Sequence, residues 1–155
     1  MPFLAILLSL LGLIPFIACG LAALGPDPGT AARMMSGLIA YAAVTLAFSG
    51  GVHWGFELQS RQQDAFIERA RLGLAVVPAL VGWIALLLPL VVASWVALLV
   101  LIAAYIGMVL VEHKAAARGL LPPRYLWLRW IVTVVAVAMM VTVLTLHMLG
   151  QTIAL

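Results

Sequence analysis

Charge is what this chain has least of. Eight Lys and Arg stand against five Asp and Glu in 155 residues, so only 8% of the chain is charged while 66% is hydrophobic, and the mean hydropathy is +1.25. A soluble domain carries about a quarter of its residues as charges. A soluble globule is therefore excluded, and an integral membrane protein is implied. The single cysteine, Cys19, excludes an internal disulfide. There is no Gly-rich phosphate loop, no zinc-ligand spacing, no nucleophile elbow and no internal repeat. The net charge of +3 is gathered in two short segments, so it bears on topology and does not suggest nucleic acid as a partner.

Uncharged runs of about 20 residues suffice to cross about 30 Å of hydrocarbon. They predict an all-α bundle forming one membrane domain over residues 1–155, with spans at about 3–24, 33–58, 72–88, 92–111 and 125–149. The first run has neither the basic start nor the short apolar core of a cleaved signal, so it is read as a retained helix, kinked at Pro15. GPDPG at 25–29 reads as a turn, and Gln59 to Arg71 as a polar connection. Leu72 to Val111 is too long for one span; Pro89 is expected to turn it into a hairpin. Gly119 and the Pro122-Pro123 pair end the fourth helix and precede the fifth.

Five spans put Arg61, Arg69, Arg71, Lys114, Arg118, Arg124 and Arg129 on one side and only Arg33 on the other. Such a bias sets orientation, so the amino terminus is expected in the cytoplasm and the carboxyl terminus outside, in a bacterial inner membrane. Trp54, Trp127 and Trp130 then fall near the inner interface, and Trp83 and Trp95 near the outer one.

The second span is the most informative. At 3.6 residues per turn, Ala43, Ala47, Gly51 and Gly55 form a line of small side chains, and Thr45, Ser49, His53 and Glu57 form a polar line about 200° around the axis. A helix with two such lines is expected to be enclosed by its neighbours. The small line suits close packing, inside one chain or between two copies, and the internal use is favoured. Buried ionisable groups in lipid seek partners, and Arg71, Glu112, His113 and Arg129 lie at the depth of His53 and Glu57. The plainest expectation is an ion-pair cluster that fixes helix register. Alternatives are a quinone or phospholipid-headgroup pocket, with His53 and Trp54 facing the ligand and Arg71 or Arg129 holding a carbonyl or phosphate; metal or haem ligation by His53 and His113; and a proton path through Thr45, Ser49 and His53. Cys19, Met34, Met35, His147 and Met148 suit copper(I) by chemistry, or simple packing.

YAAVTLAFSGGVHWG at 41–55, then Arg71, Pro78, Gly82 and Trp83, then LPPRYLWLRWIVT at 121–133, carry a resemblance. Over most of its length the chain resembles a family of uncharacterised bacterial membrane proteins, grouped by a domain of unknown function, that includes the mitochondrial inner-membrane transmembrane protein 69. Gly50-Gly51 with Trp54-Gly55, and Tyr125 with Leu128-Arg129, are its most specific parts; Ser49 and Arg124 depart from it. The resemblance implies a location and a fold but no reaction. With the central helix, it motivates the expectation of a non-catalytic accessory or assembly factor of a larger, respiratory-type membrane complex.

Overall fold

The computed structural model describes the backbone of residues 3–59 and 65–153, with the side chains of 57–59, 65–68, 70, 71 and 151–153 outside the description. Its elements are α1 (Phe3–Leu11), α2 (Ile14–Ala23), α3 (Pro28–Gln59), α4 (Ala65–Val91), α5 (Ser94–Ala117) and α6 (Pro123–Ile153). Five segments are long and apolar enough to cross a membrane: Phe3–Ala23, which takes in α1 and α2, then Pro28–Phe56, Leu72–Val91, Ser94–Ala117 and Pro123–Gly150.

The first span is broken at Pro15 rather than bent. Pro15 has no N–H to give the carbonyl four residues back, and Gly12-Leu13 forms a turn between the two helices. The carbonyl that loses its donor is that of Leu11; one residue on, within the turn itself, the Gly12 carbonyl accepts the Tyr41 hydroxyl at 2.7 Å, which ties the turn to α3. Phe16, fully buried, packs edge-on against Tyr41 and Tyr105 with ring centroids at 5.1 and 6.1 Å. Tyr41→Phe keeps that ring packing and removes only the donor. We expect it to lower stability by about 1–3 kcal/mol, seen as a lower thermal midpoint in detergent with an unchanged helical circular-dichroism signal. A midpoint equal to that of the wild type would mean the carbonyl has no need of Tyr41.

α4 starts at Ala65, inside the expected polar connection rather than at 72, and three further boundaries differ from the expectations for a local reason. α3 starts at Pro28, not near Arg33. Proline suits the first helical position and aspartate the cap before it: the Asp27 carboxylate accepts the Thr30 N–H at 2.8 Å, and its contacts with Thr30 hold the Asp27 carboxyl below its ordinary range. Pro89 lies inside α4, and the hairpin turns at Val92-Ala93, with Ala93 extended at φ −64 and ψ 142. The Val92 N–H still reaches the Leu88 carbonyl at 2.8 Å, so the helix's last turn closes around the proline. α5 runs past the expected span end at 111 to Ala117 and takes Glu112 into the span; it stops, as the sequence leads one to expect, at Gly119, with φ 73, a left-handed conformation that favours glycine. The Gly119 and Leu120 amides return to the Ala116 and Ala115 carbonyls at 2.9 and 3.1 Å, the paired bonds of a glycine helix stop.

α3 is the hub, packing against α2, α4, α5 and α6. Leu38, Leu46, Leu98, Leu101 and Met140 fill the core between them. The enclosure is incomplete, because four neighbours do not close around a cylinder: Val44, Phe48 and Trp54 of α3 face outward.

The line of small residues divides accordingly. Ala43 is buried and Ala47 half-buried, but Gly51 and Gly55 are exposed, and a Cβ on either meets nothing within 4 Å. Their expected role in packing inside the chain is corrected. The tight contact runs through Gly50, where a Cβ would collide with the Ala75 carbonyl and lie 3.3 Å from the Leu74 carbonyl, and through Gly82, where it would lie 2.8 Å from the Ala43 carbonyl. Leu74 is four residues before Pro78, so its carbonyl lacks the usual helical donor. α3 closes on α4 at the point where proline has opened the backbone.

Candidate functional site

A carboxylate sits at the meeting point of α3, α5 and α6. Glu112 is fully buried, 0% exposed. It accepts from Arg129 Nε at 2.8 Å through Oε2, and from the Tyr125 hydroxyl at 3.0 Å through Oε1. His53 Nε2 is also 3.0 Å from Oε1. An ionised carboxylate can only accept, so this contact places an imidazole proton on Nε2. The guanidinium continues outward from the pair: Arg129 Nη1 donates to Ser49 Oγ at 2.7 Å, and Ser49 in turn donates to the Thr45 carbonyl at 2.8 Å. Deeper in the bundle, Thr45 contacts the Tyr105 hydroxyl, which donates to the Ala42 carbonyl at 3.0 Å.

Helical spacing explains why these groups meet. Ser49 and His53 are one turn apart on α3, Tyr105 and Glu112 two turns apart on α5, and Tyr125, Arg129 and Thr133 recur every four residues on α6. Phe56 seals the lower edge, edge-on to His53 at 6.3 Å and to Tyr125 at 5.4 Å. A buried Arg–Glu pair in hydrocarbon persists only when its hydrogen bonds are made on both sides. Here the carboxylate takes three partners from two other helices.

Of the residues singled out from the sequence, Ser49, His53, Glu112 and Arg129 come together. Two do not. Trp54 points outward, half-exposed, and His113 is exposed, its ring edge-on to Trp130 at 6.1 Å. Consecutive residues on a helix diverge by about 100°, so each is turned away from the buried neighbour beside it in the sequence. His53 and His113 are therefore not a ligand pair, and among the described residues no three His, Cys, Asp or Glu are grouped to hold a metal. The side chains of Glu57 and Arg71 lie outside the described residues. Of the outer sulfur-rich set, Met35 belongs to the apolar core and Cys19 packs against it.

Sequence reasoning did not place Tyr105, Tyr125 or Thr133 in the site, although Tyr125 is among the residues that carry the family resemblance. The four-residue period that picks out the polar line of α3 also picks out Tyr125, Arg129 and Thr133, had it been applied to the last span. Two atoms of this region stand out: Arg129 Nη2 and Thr133 Oγ1 are buried with no hydrogen-bond partner among the described residues.

A family model described as "Protein of unknown function (DUF3429)" matches residues 1–145. No curated protein and no solved structure matches the chain.

Proposed function

The chain belongs to the family of unknown function DUF3429, and from that premise we propose that it is a non-catalytic accessory or assembly component of a larger membrane complex. The observation that carries this reading is the engagement of both oxygens of Glu112 by other helices. Oε1 is engaged by His53 and Tyr125 and Oε2 by Arg129, which ties this fully buried carboxylate to two other helices and makes it a lock on the register of α3, α5 and α6. A protein built around such a lock offers its surface rather than a reactive centre. The resemblance to a mitochondrial inner-membrane protein points to a respiratory-type complex as the partner. Orientation follows the loop cations, with the amino terminus in the cytoplasm and Arg129, buried against Glu112, no longer one of them.

The transport reading has less support. Its polar groups end at Thr45, Tyr105 and Ala42, and above them Leu38, Leu98 and Leu101 fill the bundle. A quinone or lipid pocket draws on separate atoms, the unpartnered Arg129 Nη2 and Thr133 Oγ1.

Extraction of native membranes with a mild detergent tests the proposal. The protein, tagged at its carboxyl terminus, should migrate with a defined larger complex, and the tag should be accessible from outside intact cells. Quantitative recovery as a 16.5 kDa monomer would overturn the accessory role, and a cytoplasmic tag would overturn the orientation.

A further inference from the structure

Six serine and threonine hydroxyls in these helices bond back to the carbonyl four residues earlier: Ser9, Ser36, Thr45, Ser49, Thr142 and Thr145. That bond is the default for a hydroxyl on a helix in an apolar setting. Thr133 does not make it. Its side chain is 3% exposed and its hydroxyl has no partner among the described residues, one turn along the same face of α6 from Arg129, which is 8% exposed and whose Nη2 likewise has none among them. Leaving one buried donor unsatisfied is costly, and two on adjacent turns are an arrangement a bundle keeps only with something to bond.

The chemistry of the pair restricts what that is. Arg129 Nη2 can only donate and the Thr133 hydroxyl can donate, so a single atom bonded by both must accept. The charge of Arg129 is already balanced by Glu112 at 2.8 Å, and a second anion here would sit in hydrocarbon with no counter-charge of its own. A neutral acceptor fits. The spans around it admit only a solute that partitions into the bilayer.

We propose that Arg129 Nη2 and Thr133 Oγ1 form a binding site for the carbonyl oxygen of a neutral, membrane-resident group: a quinone ring carbonyl or the acyl-ester carbonyl of a phospholipid. The proposal rests on the pocket reading above and assigns it to two atoms. The side chains first expected to face such a ligand are not the ones that do: Trp54 points outward, and His53 is bonded to Glu112.

The test uses the full chain in nanodiscs made of either ester-linked or ether-linked phospholipid, with and without a short-chain ubiquinone analogue. The thermal midpoint is the readout, since a ligand of the folded state raises it. Thr133→Val removes the hydroxyl while keeping the shape, and Thr133→Ser keeps the hydroxyl. In ether lipid without quinone, Thr133→Val should match or exceed the wild type, because an unbonded hydroxyl contributes nothing; a marked loss there would show a partner within the protein and overturn the site. A midpoint raised by the quinone, with half-saturation about three- to tenfold weaker in Thr133→Val and unchanged in Thr133→Ser, identifies a quinone; that range corresponds to one lost hydrogen bond. A midpoint higher in ester than in ether lipid, again lost only in Thr133→Val, identifies the lipid carbonyl. Stabilisation indifferent to Thr133→Val would leave a pocket elsewhere and refute this site. No stabilisation in any arm would refute the pocket reading and the site together.

Discussion

Glu112→Gln is expected to destabilise the bundle by about 3–5 kcal/mol, the range for breaking one side of a buried ion pair. The substitution preserves size, so the loss arises from electrostatics and hydrogen bonding. Arg129 would remain buried with its charge uncompensated. The glutamine would also present one amide N–H₂ among His53, Tyr125 and Arg129, all of which donate to the carboxylate. In the Oε2 position that N–H₂ faces the Arg129 N–H, and in the Oε1 position the Tyr125 hydroxyl and the His53 ring must turn to accept. The apparent midpoint of unfolding in mixed detergent micelles measures the effect. The double variant Glu112→Leu with Arg129→Met should be less damaged than Glu112→Leu alone, because an apolar pair leaves no stranded charge. A single variant within about 0.5 kcal/mol of the wild type, the range of an ordinary surface substitution, would mean that the cluster does not lock the three helices.

Gly50→Ala and Gly51→Ala are neighbours in sequence, with opposite expected outcomes. A Cβ at Gly50 meets the Ala75 carbonyl, which is backbone and cannot rotate aside, so α3 and α4 must separate. Overpacking of this kind costs about 1–3 kcal/mol. At Gly51 and Gly55 the added methyl meets nothing, and alanine's better helix propensity should raise stability by up to about 1 kcal/mol. The same unfolding midpoint separates the two. A destabilised Gly51→Ala or Gly55→Ala would reveal a helix packed on that face from outside the chain, reviving the use of this line of small residues between copies.

The two glycine outcomes also show where pattern reading reaches its limit. A four-residue repeat marks a stripe on a helix, and Ala43, Ala47, Gly51 and Gly55 do form one. Which stripe is buried depends on the neighbour's position, and α4 approaches α3 where Pro78 leaves the Leu74 carbonyl without a helical donor. No periodicity in α3 alone contains that fact. The polar cluster was more legible because charge in hydrocarbon has few stable placements: Ser49, His53, Glu112 and Arg129 had to find one another or be expelled to the interface. Trp54 and His113 were misplaced for the converse reason, since an amphipathic ring is content at the edge of the membrane and gives no sign of which way it turns.

The sequence by itself determined that this is a membrane protein, the five spans and their order, because those follow from the free energy of moving side chains between water and lipid, which each residue contributes locally. It also determined the helix stop at Gly119 and, through Asp27-Pro28, a helix start that the turn reading passed over. Only the tertiary structure decided that Glu112 lies inside α5's span, bonded to His53, Tyr125 and Arg129, and that Thr133, one turn from Arg129, is buried with no partner for its hydroxyl among the described residues. Those outcomes depend on the rotation of three helices about their own axes. Rotation is set by the sum of many packing contacts between residues far apart in the chain, and no single segment carries it.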